Sequence, residues 1–71
     1  MPNVENHRLI ALRKQCNLTQ EQLGAKVGMS QAMVARIESG DRDPGKRYKI
    51  NLAEFFGVTV EYLFYEQFYT K

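Results

Sequence analysis

Few residues of this chain are of types that catalyse reactions or bind metal ions. His7 is the only histidine, and it lies near the N-terminus without the cluster of cysteines or carboxylates that a zinc site needs. Cys16 has no histidine near it in sequence, and beside Leu12 on a helix it is predicted to be a small core residue. The glycines are predicted to lie at helix ends and where helices pack closely together, and they do not form a glycine-rich phosphate-binding loop. We therefore expect no enzymatic activity, no metal, no cofactor and no small-molecule ligand.

The charged residues are distributed unevenly along the chain. Residues 1–49 hold nine Lys/Arg against five Asp/Glu, whereas residues 50–71 hold Lys71 against three glutamates. A basic first part of the chain and an acidic last part suit a protein that binds a polyanion on one side only. Ordinary variation of surface charge explains the same distribution, and the charges alone do not decide between these interpretations.

Length and composition limit the class of protein. A chain of 71 residues predicts one domain with a small core. A single cysteine forms no internal disulfide, no apolar run approaches the roughly 20 residues of a membrane span, and the polar N-terminus does not look like a signal peptide. We expect a cytoplasmic protein without a membrane partner.

Helical periodicity runs through almost the whole chain and predicts an all-α fold. The five predicted helices cover about Glu5–Gln15, Gln20–Val27, Gln31–Glu38, Gly45–Phe56 and Val60–Tyr65. The aromatic tail YLFYEQFY (62–69) either extends the fifth helix or forms a short extended edge strand, and the sequence leaves both open.

The second and third predicted helices are short and are separated by a glycine turn. Thr19 is predicted to cap the second helix, with Gln22 completing a capping box. Gly28 then ends that helix in the left-handed conformation, and Ser30 caps the next. Neither helix is long enough to be stable alone in water. The arrangement therefore predicts a short helix presented rigidly by its neighbours.

The segment LTQEQLGAKVGMSQAMVARIESG (18–40) resembles the helix-turn-helix of the phage-repressor family, the Cro/repressor-like or XRE-type regulators. The likeness extends to LIALR (9–13) and to LAEFFGVTVEYLF (52–64). It implies that residues 1–71 form a compact five-helix, lambda-repressor-like DNA-binding domain with its motif at about 19–38. Gly24 departs from the alanine usual in the family, and Lys46 and Lys49 stand where the family has apolar residues.

By this resemblance, we expect a sequence-specific double-stranded DNA-binding transcriptional regulator encoded by a bacterium or a phage. The implied mechanism is repression by a homodimer bound to a pseudo-palindromic operator. An alternative of another class is a protein-interaction module, such as the antitoxin of a toxin–antitoxin pair, that holds its partner with the aromatic tail.

The resemblance implies that the third helix enters the major groove of DNA. Gln31 would pair with adenine, and Arg36 would bind guanine or a phosphate. The alanines would contact thymine methyl groups, while Met33 either touches a base or packs in the turn. The expected base-contacting residues are Gln31, Ala32, Met33, Ala35 and Arg36.

The resemblance also implies contacts with the phosphate backbone. Gln20 would support the side chain of Gln31, and loop residues would supply positive charge. Asp41 and Asp43 lie in the same loop and oppose phosphate binding. The expected phosphate-contacting residues are Thr19, Gln20, Ser39, Arg42, Lys46 and Arg47. Arg13 and Glu38 are expected to form a structural ion pair, the alternative being two separate surface charges.

The aromatic segment 60–69 holds more apolar surface than so small a core is expected to bury. We therefore expect a two-fold homodimer interface at Val60, Leu63, Phe64, Phe68 and Tyr69. The alternative is that Leu63 and Phe64 complete the core of the monomer while Phe68 and Tyr69 belong to a frayed end.

Overall fold

The computed structural model describes residues 4–69, and it is helical as the sequence predicts. The four longer helices are α1 (His7–Gln15), α2 (Gln20–Val27), α3 (Gln31–Ser39) and α4 (Lys46–Phe56). A last helical stretch covers 60–69, in which a π-helical segment (Tyr62–Glu66) precedes α5 (Gln67–Tyr69). The described part of the chain contains no strand. The tail therefore extends the last helix and does not form an edge strand.

Side-chain caps set where the first three helices begin. The Asn6 side chain accepts a hydrogen bond from the Leu9 amide, so α1 begins at His7, two residues later than predicted. The predicted capping box of α2 is confirmed, because Thr19 and Gln22 exchange both hydrogen bonds. Gly28 ends α2 at φ 79°, in the left-handed region that glycine adopts without steric cost.

One fully buried side chain from each of the four longer helices, and one from the π-helical segment, form the centre of the core. These fully buried residues are Leu9, Leu23, Val34, Leu52 and Leu63. Short amphipathic helices are stabilised chiefly by packing of this kind, since their isolated stability in water is marginal. The core therefore holds α2 and α3 in a fixed mutual orientation.

The burial of the last helix corrects the predicted dimer interface. Leu63 is 0% exposed and Phe64 is 8% exposed, so both side chains complete the core of the monomer and offer little surface to a second chain. Val60 is half-buried, whereas Phe68 is 37% exposed. The side chain of Tyr69 lies outside the described residues.

Polar side chains near the N-terminus fasten the last helix to α1. Asn6 donates to the Leu63 carbonyl at 3.0 Å, and Arg8 donates to the Tyr62 carbonyl at 3.0 Å. Gln67 donates to Asn6 Oδ1 at 2.7 Å. The bonds from Asn6 and Arg8 are accepted by carbonyl groups of the π-helical segment, where the regular α-helical pairing is interrupted. These hydrogen bonds therefore hold the N-terminal and C-terminal parts of the described chain together.

A second correction concerns Cys16, which was predicted to be a core residue. It is the residue that follows α1, and its side chain is exposed. The chain turns there through Asn17, which has a positive φ of 58°. Leu9 and the half-buried Leu12 are the residues of α1 that reach the core.

Candidate nucleic-acid interface

The candidate site is built on α2, the turn at Gly28 and α3. The two helices share the buried residues Leu23, Val27, Val34 and Ile37. A Cβ atom at Gly24 would collide with the carbonyl oxygen of Met29, so glycine at this position permits close approach of the turn to α2. These contacts fix the angle at which the N-terminal end of α3 is presented.

The five predicted base-contacting residues differ in exposure. Gln31, Ala32 and Arg36 are exposed, whereas Met33 and Ala35 are half-buried. Met33 also packs against the hydrophobic core. Gln31, Ala32 and Arg36 therefore form the accessible part of the face that α3 presents.

A chain of hydrogen bonds runs from α1 to the first residue of α3. Arg13 Nε donates to Glu38 Oε2 at 2.6 Å, and the two side chains are only 12% and 5% exposed. Gln20 Nε2 donates to Glu38 Oε1 at 3.0 Å. Gln31 Nε2 in turn donates to Gln20 Oε1 at 2.7 Å. Four side chains from three helices thus form one continuous relay, Arg13–Glu38–Gln20–Gln31.

The relay has a fixed polarity because the carboxylate of Glu38 accepts hydrogen bonds and donates none. The nitrogen of the Gln20 amide must therefore point towards Glu38, and its oxygen towards Gln31. The nitrogen of Gln31 consequently points towards Gln20. A buried charge pair thus determines the orientation of an exposed amide at the start of α3.

The predicted phosphate-contacting residues lie around this relay. Five of them are exposed and Gln20 is half-buried. The Thr19 hydroxyl already accepts a hydrogen bond from the Gln22 amide, and the Ser39 hydroxyl donates to the Arg36 carbonyl at 3.1 Å. The basic members of this set, Arg42, Lys46 and Arg47, are all exposed.

Sequence reasoning missed the environment of Lys49. Its amino group donates to the Tyr65 hydroxyl at 3.0 Å and lies 3.2 Å from Asp43 Oδ1, with the side chain 12% exposed. The hydrogen bond with Tyr65 raises the pKa of Lys49 above its usual 10.5, Asp43 raises it further, and burial acts in the opposite direction. The sequence feature that could have indicated this environment is a lysine at a position where the phage-repressor family usually has an apolar residue.

Neither a metal-binding cluster nor a membrane-spanning helix is found among the described residues. Within 4–69, no group of three or more His, Cys, Asp or Glu side chains is placed to hold a metal ion. His7 lies beside Glu5 at 3.7 Å, and both side chains are largely exposed. No helix in this part of the chain has the length and apolar character needed to cross a membrane.

A glycine turn between two packed helices, with the second helix exposed at its start, defines a helix-turn-helix domain. The family model described as Helix-turn-helix matches residues 9–63. An uncharacterised HTH-type transcriptional regulator of Methanocaldococcus jannaschii is 44% identical over 48 residues, which cover 68% of this chain and 73% of the relative. The chain belongs to the helix-turn-helix family, among the Cro/C1-type DNA-binding transcriptional regulators. The resemblance inferred from the sequence is thereby confirmed.

A solved structure has the same fold. The P22 c2 repressor, in complex with a synthetic operator, superposes with a TM-score of 0.79 over 87% of this chain and 94% of the repressor chain. The two sequences are 24% identical, so the likeness concerns the fold. It confirms the predicted lambda-repressor-like architecture.

Proposed function

We propose that this protein recognises a specific sequence of double-stranded DNA and represses transcription, as a homodimer on a pseudo-palindromic operator. The observation that carries the proposal is the relay ending at Gln31. A solvent-exposed glutamine normally samples many rotamers, and ordering it costs conformational entropy on binding. Here the Gln31 amide is already held by Gln20, which is held by a buried carboxylate.

The orientation of the Gln31 amide suits adenine. One N–H of Gln31 is used by Gln20, and the second N–H and the oxygen form an adjacent donor and acceptor. Adenine presents N7 as an acceptor and N6 as a donor in the major groove, a pattern that a glutamine amide matches with two hydrogen bonds. We therefore assign adenine as the base that Gln31 reads.

The remaining contacts would hold the domain on the duplex. Arg42 lies in the loop after α3, and Lys46 and Arg47 begin α4. All three side chains are exposed, and their charge would pair with phosphates and release counterions. Arg36 would bind guanine or a phosphate from the exposed side of α3. Repression would follow from occupation of a promoter.

Dimerisation would lengthen the DNA sequence that the protein recognises. One α3 helix reads only a few base pairs, whereas a two-fold dimer places two such helices about 34 Å apart on one face of the duplex. With Leu63 and Phe64 in the core, the proposed interface consists of Val60 and the exposed Phe68, with the exposed Tyr62 and Tyr65 beside them.

Selection of bound sites from a random duplex library, followed by gel-shift titration at low and high salt, tests the proposal. We expect enrichment of a pseudo-palindrome with adenine at equivalent positions of both half-sites. Binding to random DNA should be weaker and should disappear at high salt. Failure to bind any duplex, even at low salt, would contradict the proposal and favour a protein-interaction module.

A further inference from the structure

Lys49 occupies an unusual environment for a lysine of a small domain. Its amino group lies 4.9 Å from the ring centre of Tyr65 and 5.8 Å from that of Phe64, both within the range of cation–π attraction. It also contacts the Tyr65 hydroxyl and the Asp43 carboxylate. A lysine that is 12% exposed with three such partners is a fixed part of the structure, since its charge would be costly to bury alone.

Asp43 is the partner that connects Lys49 to DNA binding. It lies one residue after Arg42, between α3 and α4, and its side chain is 84% exposed. A carboxylate beside a phosphate-binding arginine opposes the approach of a polyanion, because the like charges of carboxylate and phosphate repel. The ammonium group of Lys49, 3.2 Å away, supplies the opposite charge.

We propose that Lys49 is a positioning residue for DNA binding, which pairs the charge of Asp43 and ties the loop that carries Arg42 to the last helix through Tyr65. The inference rests on the proposed function, because it concerns how that same DNA-binding face is held. The amino group of Lys49 is engaged by Tyr65 and Asp43, so its effect on DNA affinity is exerted through Asp43. The loop between α3 and α4 is thereby held against both α4 and the tail.

A double-mutant cycle on DNA affinity tests the inference. Lys49→Met is expected to weaken binding to the selected duplex about fivefold when Asp43 is present. In the Asp43→Asn background, the same change should weaken binding by less than about twofold, because no carboxylate is left to pair. Fluorescence anisotropy with a labelled duplex measures all four affinities under the same salt concentration.

Lys26 provides the matched control for net charge. It is exposed in the last turn of α2, and Lys26→Met removes the same unit charge as Lys49→Met. We expect this control to change affinity by less than about twofold. Circular dichroism melting establishes that each variant is folded at the assay temperature. Lys49→Gln keeps a donor for the Tyr65 hydroxyl while removing the charge, and it replaces Lys49→Met if that variant does not fold.

The outcomes separate this inference from the proposed function. If the parent binds no duplex, the proposed function fails. If the parent binds and Lys49→Met behaves like Lys26→Met, only the role of Lys49 is overturned. An equal loss in the parent and in the Asp43→Asn background would also overturn it, because Lys49 would then act by a route other than Asp43.

Discussion

Glu38 is the residue whose substitution should have the largest effect, because its carboxylate pairs with Arg13 and also accepts a hydrogen bond from Gln20. Its carboxylate accepts from Arg13 Nε at 2.6 Å and Nη2 at 3.2 Å, and the pair is almost completely buried. Glu38→Ala leaves the Arg13 guanidinium buried with the Leu18 carbonyl as its remaining acceptor. Loss of one partner of a buried pair costs about 3–5 kcal/mol, because the other charge is left without compensation.

That cost is large for a small domain, whose total free energy of unfolding is commonly about 5–15 kcal/mol. At about 4–8 °C per kcal/mol for a domain of this size, Glu38→Ala should lower Tm by at least about 12 °C. Thermal melting followed by circular dichroism measures this change. A variant that melts within about 4 °C of the parent would refute the argument, since the pair would then contribute less than about 1 kcal/mol.

The double variant Arg13→Met, Glu38→Leu separates stability from DNA recognition. Apolar replacement of both partners removes the uncompensated charge, so most of the lost stability should return. Specific DNA binding should not return with it, because Gln20 no longer has the carboxylate that orients its amide. A double variant with the parent's preference for its selected site would show that the relay does not orient Gln31.

Three further predictions use simpler changes. Gln31→Ala should weaken binding to the selected site by about 1–3 kcal/mol and change random-DNA binding little, and equal losses on both DNAs would contradict base readout. Arg42→Ala should weaken binding to both DNAs and reduce the salt slope by about one unit, as measured by titration at several salt concentrations. Phe68→Asp should dissociate the proposed dimer in sedimentation equilibrium at micromolar concentration, whereas Phe55→Asp, at a similarly exposed phenylalanine on α4, should not. Unchanged association of the Phe68 variant would place the interface elsewhere, and a monomeric parent would contradict the dimer itself.

Most of the fold was predictable because its signals are local. Capping residues and left-handed glycines lie within a few positions of the helix ends they determine, as at Thr19 and Gly28. The start of α1 was predicted two residues early because Asn6 was not recognised as its N-cap. The interruption of the last helix by a π-helical segment was not predictable either, since its carbonyls are satisfied by side chains distant in sequence.

The residues of the candidate site were predictable only at positions to which the family resemblance assigns a role. The resemblance supplied the pairs Arg13–Glu38 and Gln20–Gln31, and the structure adds the hydrogen bond from Gln20 to Glu38 that joins them. That bond connects residues 18 positions apart, and no periodicity of the sequence indicates it. The assignment of particular bases and phosphates to these side chains stays a prediction.

The docking of the last helix changes how dimerisation must be tested. Removal of the chain after Tyr65 would also remove Gln67, which holds the buried Asn6 and contributes to the fastening of α1. A truncated protein could therefore lose association because its monomer is damaged. Substitution of the exposed Phe68 avoids this problem. Tyr65 belongs both to the proposed dimer surface and to the contact with Lys49, so a change there would alter the loop between α3 and α4 and the proposed dimer surface together.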